Sequence, residues 1–206
     1  MANLSAQSSG PVASCPPPNV ARAGLYVHIP FCRSKCSYCD FVSFAGRSAL
    51  HEPYVAALVQ EAATRAPAWE PYDFDTLFVG GGTPTLLSPT TLAHLIATCR
   101  DALTLDAAAE VTVEANPSTV HGDALLALRA VGVTRLSLGV QSFDDGLLRL
   151  LGRVHSAAEA VATVTAARAA GIDNLNLDLI YGLPTQTLAQ WHATLHTAVA
   201  LNPQHL

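Results

Sequence analysis

Short apolar segments alternate with longer amphipathic ones along almost the whole chain. This alternation constrains the fold more than any other feature of the sequence. Strand-like runs are expected at 25–29, 76–79, 111–114, 135–139 and 174–180, and helical runs at 53–65, 90–102, 122–130, 157–169 and 188–200. Ser88-Pro89 and Ser118 are start signals for helices, and Gly132 and Gly171 are stop signals. Repeated βα units of this size require a parallel sheet with right-handed crossovers. The chain has 206 residues, half of them hydrophobic and only 13% charged, enough for one domain with a substantial core. No linker divides it after residue 23. Residues 1–23, rich in Ser, Ala and Pro, read as a flexible leader that lacks the charged and apolar regions of a signal peptide.

Polar residues gather at the C-terminal ends of the expected strands: His28, Gly80-Gly-Gly-Thr83, Glu114-Ala-Asn116, Gln141 and Asp178. Asn174, Asn176 and Asp178 share one strand face by the period-2 rule. A packed barrel lumen would place branched apolar residues there, so polar ones imply an interior that holds a ligand. Active sites of βα barrels lie at this C-terminal face. The competing reading is that some of these groups only satisfy one another. The segment Leu201-Asn-Pro-Gln-His-Leu206 reads as a loop leading into a sixth strand that is missing. Five βα units do not close a barrel and leave strand five as an open edge. On this reading the chain is a fragment or a truncated reading frame.

Three of the five cysteines, Cys32, Cys36 and Cys39, form a C-x3-C-x2-C loop directly after the first strand. Three thiolates can hold three irons of a cubane cluster and leave the fourth iron without a protein ligand. Electron-transfer clusters are normally closed by a fourth cysteine. An open iron instead takes a molecule that brings its own ligand atoms. The alternatives are weaker. The cysteine count is odd and no secretory signal is present, against a disulfide framework. A zinc site wants four ligands; His28 could complete a Cys3His set, but no second C-x2-C pair follows. Cys15 reads as a free thiol without a role, and Cys99 as a small buried hydrophobe. Net charge is -5, with no basic run, which argues against nucleic-acid binding. No apolar stretch is long enough to span a membrane. Reduced cysteines and an oxygen-sensitive cluster together point to the cytoplasm.

Tyr26-Val-His-Ile-Pro-Phe before the cysteine loop, and the loop itself, resemble radical S-adenosylmethionine proteins of the oxygen-independent coproporphyrinogen III oxidase group. The later segments follow in that family's order: Gly80-Gly-Gly-Thr-Pro-Thr85, Glu114-Ala-Asn-Pro117, Leu136-Ser-Leu-Gly-Val-Gln-Ser-Phe143, Leu151-Gly-Arg-Val-His155 and Asp178-Leu-Ile-Tyr-Gly-Leu-Pro184. The resemblance runs over residues 25–206 and covers only about half of a family member. It implies an α/β fold, a partial TIM-like (βα)6 radical-SAM barrel truncated after about five βα units. Residues 24–206 would form this incomplete core domain, with the family's C-terminal domain absent.

Two residues after the third cysteine, the decarboxylating oxidase carries another cysteine, whereas the heme chaperone HemW branch carries phenylalanine. Phe41 therefore aligns this chain with the HemW branch. The resemblance implies that Cys32, Cys36 and Cys39 bind a 4Fe-4S cluster. It also implies that Tyr26, Tyr38, Gly81, Gly82, Thr83, Glu114, Gln141, Arg153 and Asp178 line the S-adenosylmethionine site. Tyr38 would lie near the adenine, and Gly81, Gly82 and Thr83 would bring backbone close to the methionine amino end. Glu114 would meet the ribose or the amino group, and Arg153 the carboxylate. Tyr26 and His28 share one face of the first strand and would sit near the cluster or the cofactor.

Heme would be the cargo, handed to an unidentified acceptor protein. A flavodoxin- or ferredoxin-like electron donor is expected. In the oxidase, a reduced cluster cleaves the sulfonium, and the resulting radical decarboxylates a propionate of coproporphyrinogen III; in the HemW branch this half is regulatory or vestigial. The oxidase activity, disfavoured by Phe41, is the alternative, and a non-functional fragment is the third. His51, His94, His121, His155, His192, His196 and His205 form no pair that defines a heme site, and most of them read as lying on helix surfaces or in loops.

Overall fold

A computed structural model of the protein describes residues 21–206. The expected leader over residues 1–20, with Cys15, lies outside the described residues. Residues 21–23, also assigned to the leader, instead open strand β1 (Ala21–Ile29). The other long strands are β4 (Tyr72–Gly81), β5 (Leu105–Ala115), β6 (Arg135–Gln141) and β7 (Asn174–Leu179). They form one five-stranded sheet in the order β1-β4-β5-β6-β7, with every neighbouring pair parallel. This sequential order, with helices between the strands, is the open arc of a βα barrel. A two-residue pair, β2 (Phe31–Cys32) with β3 (Phe44–Ala45), closes the loop that contains the cysteines.

The helices are α1 (His51–Trp69), α2 (Pro89–Ala102), α3 (Gly122–Ala130), α4 (Asp145–Leu150), α5 (Ala157–Ala169) and α6 (Leu188–Ala200). Their boundaries have chemical causes. The Ser88 hydroxyl accepts from the Thr91 amide at 3.1 Å, and Pro89 fills the first helical position. Ser156 with Glu159, and Thr187 with Gln190, form capping boxes at α5 and α6. Gly132 and Gly171, both with positive φ, end α3 and α5 as expected. Ser118 does not start a helix. It lies in the single turn Pro117–Thr119, which the Asn116 side chain caps, and α3 begins later at Gly122. Helix α4 was not anticipated; Asp144 caps it by accepting from the Leu147 amide at 2.9 Å.

Period-2 alternation divides the sheet into two chemically opposite faces. Ile29, Leu77, Val79, Val111, Val113, Leu136, Leu138, Leu175 and Leu177 are buried in one apolar cluster with Leu92, Leu95, Ile96, Leu125, Val164 and Ala167 of the surrounding helices. The intervening residues line up across the strands on the other face. Tyr26 pairs with Phe78, Phe78 with Thr112, Thr112 with Arg135, and Arg135 with Asn174. The next row comprises His28, Gly80, Glu114, Ser137 and Asn176, and Asp178 lies above it. This lumen face is predominantly polar, as the strand pattern implied.

The sheet keeps five strands, as expected, and the final residues cover part of the β7 edge: Leu177 N–H donates to the His205 carbonyl and the His205 N–H to the Leu175 carbonyl, each at 3.2 Å. The parallel Asn176–His205 bridge there is isolated. No described helix is long and apolar enough to cross a membrane.

Candidate functional site

The C-terminal ends of β4, β5, β6 and β7 and the loop over residues 32–43 enclose one continuous cleft. Cys32, Cys36 and Cys39 line it together with Tyr38, Gly81, Gly82, Thr83, Asn116 and Arg153. Its inner part is walled by Glu114, Ser137, Gly139, Gln141, Asp178 and Phe41. Eleven of the twelve expected site residues therefore meet in one place; Tyr26 does not. The three loop cysteines are free thiols.

The cysteine loop is tied to the barrel at both ends. The Phe44 amide donates to the Pro30 carbonyl at 2.7 Å, and the Thr83 amide to the Phe31 carbonyl at 2.7 Å. His28 supplies a side-chain tie. Its Nε2–H donates to the Val42 carbonyl at 2.9 Å, so its Nδ1 is the acceptor for the Tyr26 hydroxyl at 3.0 Å. Both ring nitrogens are thus engaged, and His28 acts as a strut for the loop rather than as a fourth ligand. Tyr26 stacks on Phe78 with ring centroids 6.0 Å apart and lines a separate groove beside α1, not the cleft. Gly81 has φ +115°, and any Cβ there would stand 2.5 Å from the His28 ring.

The glycine run turns its amides inward. Its three amides are all engaged inside the protein: Gly81 N–H with the Glu114 carboxylate at 2.9 Å, Gly82 N–H with the Ile29 carbonyl at 2.8 Å, and Thr83 N–H with the Phe31 carbonyl. What the run offers the cleft is close approach, not free donors. The Thr83 hydroxyl lies 3.9 Å from Cys32 Sγ.

Arg153 reaches the cleft from the segment after α4. Its Nη2 donates to the Gly139 carbonyl at 2.6 Å, and its Nη1 lies 3.4 Å from the Tyr38 hydroxyl and 3.6 Å from Cys36 Sγ. The guanidinium therefore braces the cysteine loop against β6, while its buried Nε has no partner. The Tyr38 phenol is pushed up to about 12, chiefly by burial; Arg153 opposes the rise and Cys36 adds to it. Burial likewise raises Glu114 and Asp178, against hydrogen bonds from the Gly81 amide and from Asn176 and Ser137 respectively. Asn176 donates to Asp178 at 2.6 Å and to Ser137 at 2.8 Å, and its amide oxygen meets His205 Nδ1. Deeper in the lumen, Asn174 donates to Glu110 at 3.1 Å. Part of the polar lumen is thus internally satisfied. Cys99 is buried among the helices, with its thiol pushed up to about 11 by that burial. His155 is the histidine most at odds with a surface position, being only 4% exposed.

Asn116, Ser137 and Gly139 line the cleft without having been singled out as binding residues. All three fall inside quoted motifs, so a signal existed, and the register sets Ser137 directly opposite Glu114.

An open parallel βα arc that holds a three-thiol loop above its C-terminal edge is the architecture of radical SAM domains. The model of the Radical SAM superfamily matches residues 26–198, and the chain belongs to that superfamily. Among curated relatives, the heme chaperone HemW of Escherichia coli (strain K12) is 42% identical over 183 residues, 88% of this chain and 48% of the relative. The mitochondrial radical S-adenosyl methionine domain-containing protein 1 of Bos taurus is 42% identical over 176 residues, 85% of this chain and 40% of the relative. The structure of coproporphyrinogen III oxidase (HemN) from Escherichia coli aligns with a TM-score of 0.82 at 37% identity, over 90% of this chain and 43% of that one. The chain spans about half the length or less of these relatives. Methylornithine synthase (PylB), at 16% identity and a TM-score of 0.58, shares the fold alone.

Proposed function

We propose that the chain binds a 4Fe-4S cluster through Cys32, Cys36 and Cys39 and S-adenosylmethionine in the adjoining cleft. We further propose that it belongs to a HemW-type heme chaperone that carries heme to an acceptor protein. The observation that carries the reading is the meeting of three free thiols, the glycine run and Arg153 in one cleft. Three thiolates in one cleft, beside a His28 whose ring nitrogens are both engaged, suit a cubane in which each thiolate binds a different iron. The unpartnered Arg153 Nε adds a buried donor beside them.

The bound groups would supply one-electron cleavage of a sulfonium. The residues of the chain bind and orient. The side-chain-free glycine run would let the amino end of the cofactor approach the backbone closely. Glu114 and Asp178 offer acceptors for hydroxyls or the amino group, and Gln141 an amide that can donate or accept. Arg153 supports the loop and has donors to spare for a carboxylate, its Nε having no partner in the protein. Phe41, 68% exposed at the cleft, occupies the place of the oxidase's additional cysteine. A flavodoxin- or ferredoxin-like donor would deliver the electron.

Anaerobic reconstitution with iron and sulfide, followed by electron paramagnetic resonance with and without S-adenosylmethionine, tests the cleft. A cubane signal that changes on adding S-adenosylmethionine is expected; no cubane signal from folded protein would refute the assignment. Heme titration followed by the Soret band then tests the cargo. The structural match to HemN favours a second reading, coproporphyrinogen decarboxylation. Release of carbon dioxide from coproporphyrinogen III under reducing, anaerobic conditions would establish that reading in place of the chaperone. Absence of both cluster and heme binding would leave an inert fragment.

A further inference from the structure

Gln141 occupies the most unusual backbone position in the cleft. Its φ is +66°, and the Ser142 amide donates back to the Val140 carbonyl at 2.8 Å. A hydrogen bond from i+2 to i around a residue of positive φ is a γ-turn of the rare, strained hand. The ladder is interrupted here, with the β6–β7 register shifting between Leu138 and Gln141. Gly139 leaves room beneath it: a Cβ there would lie 3.1 Å from Gln141 Nε2 and 3.2 Å from Arg153 Nη2, so both side chains would have to give. The turn thus folds the Gln141 amide back over Gly139, beside Arg153 and on the same cleft wall as Asp178.

Strain of this kind persists only where the surroundings over-determine it. Two side chains from the segment after α4 hold consecutive carbonyls of the turn. Arg153 Nη2 holds Gly139 O at 2.6 Å, and His155 Nε2 holds Val140 O at 3.1 Å. A carbonyl only accepts, so the His155 proton is on Nε2. Its Nδ1 is buried with no partner. A buried imidazole with one unsatisfied nitrogen is unfavourable packing; an aliphatic side chain would fill the space without that penalty. What an aliphatic side chain cannot supply is the N–H on Val140.

We propose that His155 is a positioning residue whose Nε2–H on the Val140 carbonyl maintains the γ-turn that aims Gln141 into the cofactor cleft. The inference rests on the reading of that cleft as the S-adenosylmethionine site.

The test uses the full chain and the variants His155→Leu, His155→Gln, Gln141→Ala and His155→Leu/Gln141→Ala. Amide hydrogen exchange at Ser142, measured without any cluster, reads the turn directly. The S-adenosylmethionine concentration that half-saturates the resonance change of the reconstituted cluster reads the aim of Gln141. Iron content and melting temperature are followed alongside. In His155→Leu, Ser142 is expected to exchange at least about tenfold faster and the half-saturation concentration to rise about tenfold, the scale of one lost hydrogen bond to a buried acceptor. Gln141→Ala should match that rise, the double variant should be no worse than either single variant, and His155→Gln should restore much of the loss. Unchanged Ser142 exchange, unchanged half-saturation in His155→Leu, or effects that multiply in the double variant would overturn the proposal. If the parent chain fails to show any response to S-adenosylmethionine, the cofactor reading fails, while the exchange measurement still decides whether His155 maintains the turn.

Discussion

Replacing Gly82 by alanine should separate the loop from the barrel. A Cβ on Gly82 would lie 2.5 Å from the Phe31 carbonyl oxygen and 2.9 Å from the Phe31 carbonyl carbon and nitrogen. All three are main-chain atoms in the residue just before Cys32, so no side chain can swing aside. Relief requires that β2 move away from β4, which weakens the Gly82–Ile29 and Thr83–Phe31 hydrogen bonds, 2.8 and 2.7 Å long. Overpacking costs about 1–3 kcal/mol, and each weakened bond adds up to about 1 kcal/mol. A loss of about 3 kcal/mol follows, or roughly 6–12 °C in melting temperature for a domain of this size. Gly122 is the control, because nothing lies within 4 Å of a Cβ there and it opens α3. Gly122→Ala should be neutral or stabilising by up to about 1 kcal/mol. Denaturant unfolding of the three proteins measures both, and iron content after reconstitution follows the loop. A Gly82→Ala protein as stable as its parent would refute the close approach of Phe31 to the glycine run.

Three further outcomes are expected. Arg153→Met keeps the stem but removes the bond to Gly139 O and the contacts to Tyr38 and Cys36; a loss of about 1–3 kcal/mol by denaturant unfolding and poorer iron retention should result, and intact retention would contradict the bracing role. His155 is held down to about 4 from 6.5, chiefly by burial and next by Arg153, against its bond to Val140 and the charges of Glu159 and Asp145. The unfolded chain therefore takes up this proton first as pH falls, so the stability due to His155 is full above pH 6.5 and is lost towards pH 4; a His155→Leu variant should lack that part of the acid slope in unfolding measured from pH 7 to 4. Asp178, raised by burial, carries the opposite sign: stability declines as pH rises through its elevated pKa. Asp178→Asn should therefore melt higher at neutral pH while binding S-adenosylmethionine less tightly, and a lower melting temperature would show that the carboxylate is the more favourable group there.

The strands and helices were legible because their periods of two and of about four residues differ and rarely overlap in this chain. The ranges 122–130, 157–169 and 188–200 coincide with α3, α5 and α6. The start of β1 was hidden because Ala21-Arg-Ala-Gly24 has no apolar run; its pairing with Tyr72–Phe74 makes it a strand. The short α4 was hidden by its length, although Asp144 and the buried Leu147 and Leu148 mark it. Ser118 misled because a capping residue can close a single turn as readily as it starts a helix.

By itself the sequence determined the spacing of the three thiols, the side-chain-free run at 80–82, and the polar parity of the strand faces. These are local properties, set by neighbours along the chain. Tertiary structure alone decided how they are combined. It brought Arg153 to Cys36 across 117 residues, turned His28 into a strut, and stacked Tyr26 on Phe78 away from the cleft. It also engaged the three glycine-run amides and placed the His155 N–H on a strained turn. A hydrogen-bonding group does not disclose its partner from its position in the chain, because buried donors and acceptors are satisfied by whatever the fold brings within 3 Å or so.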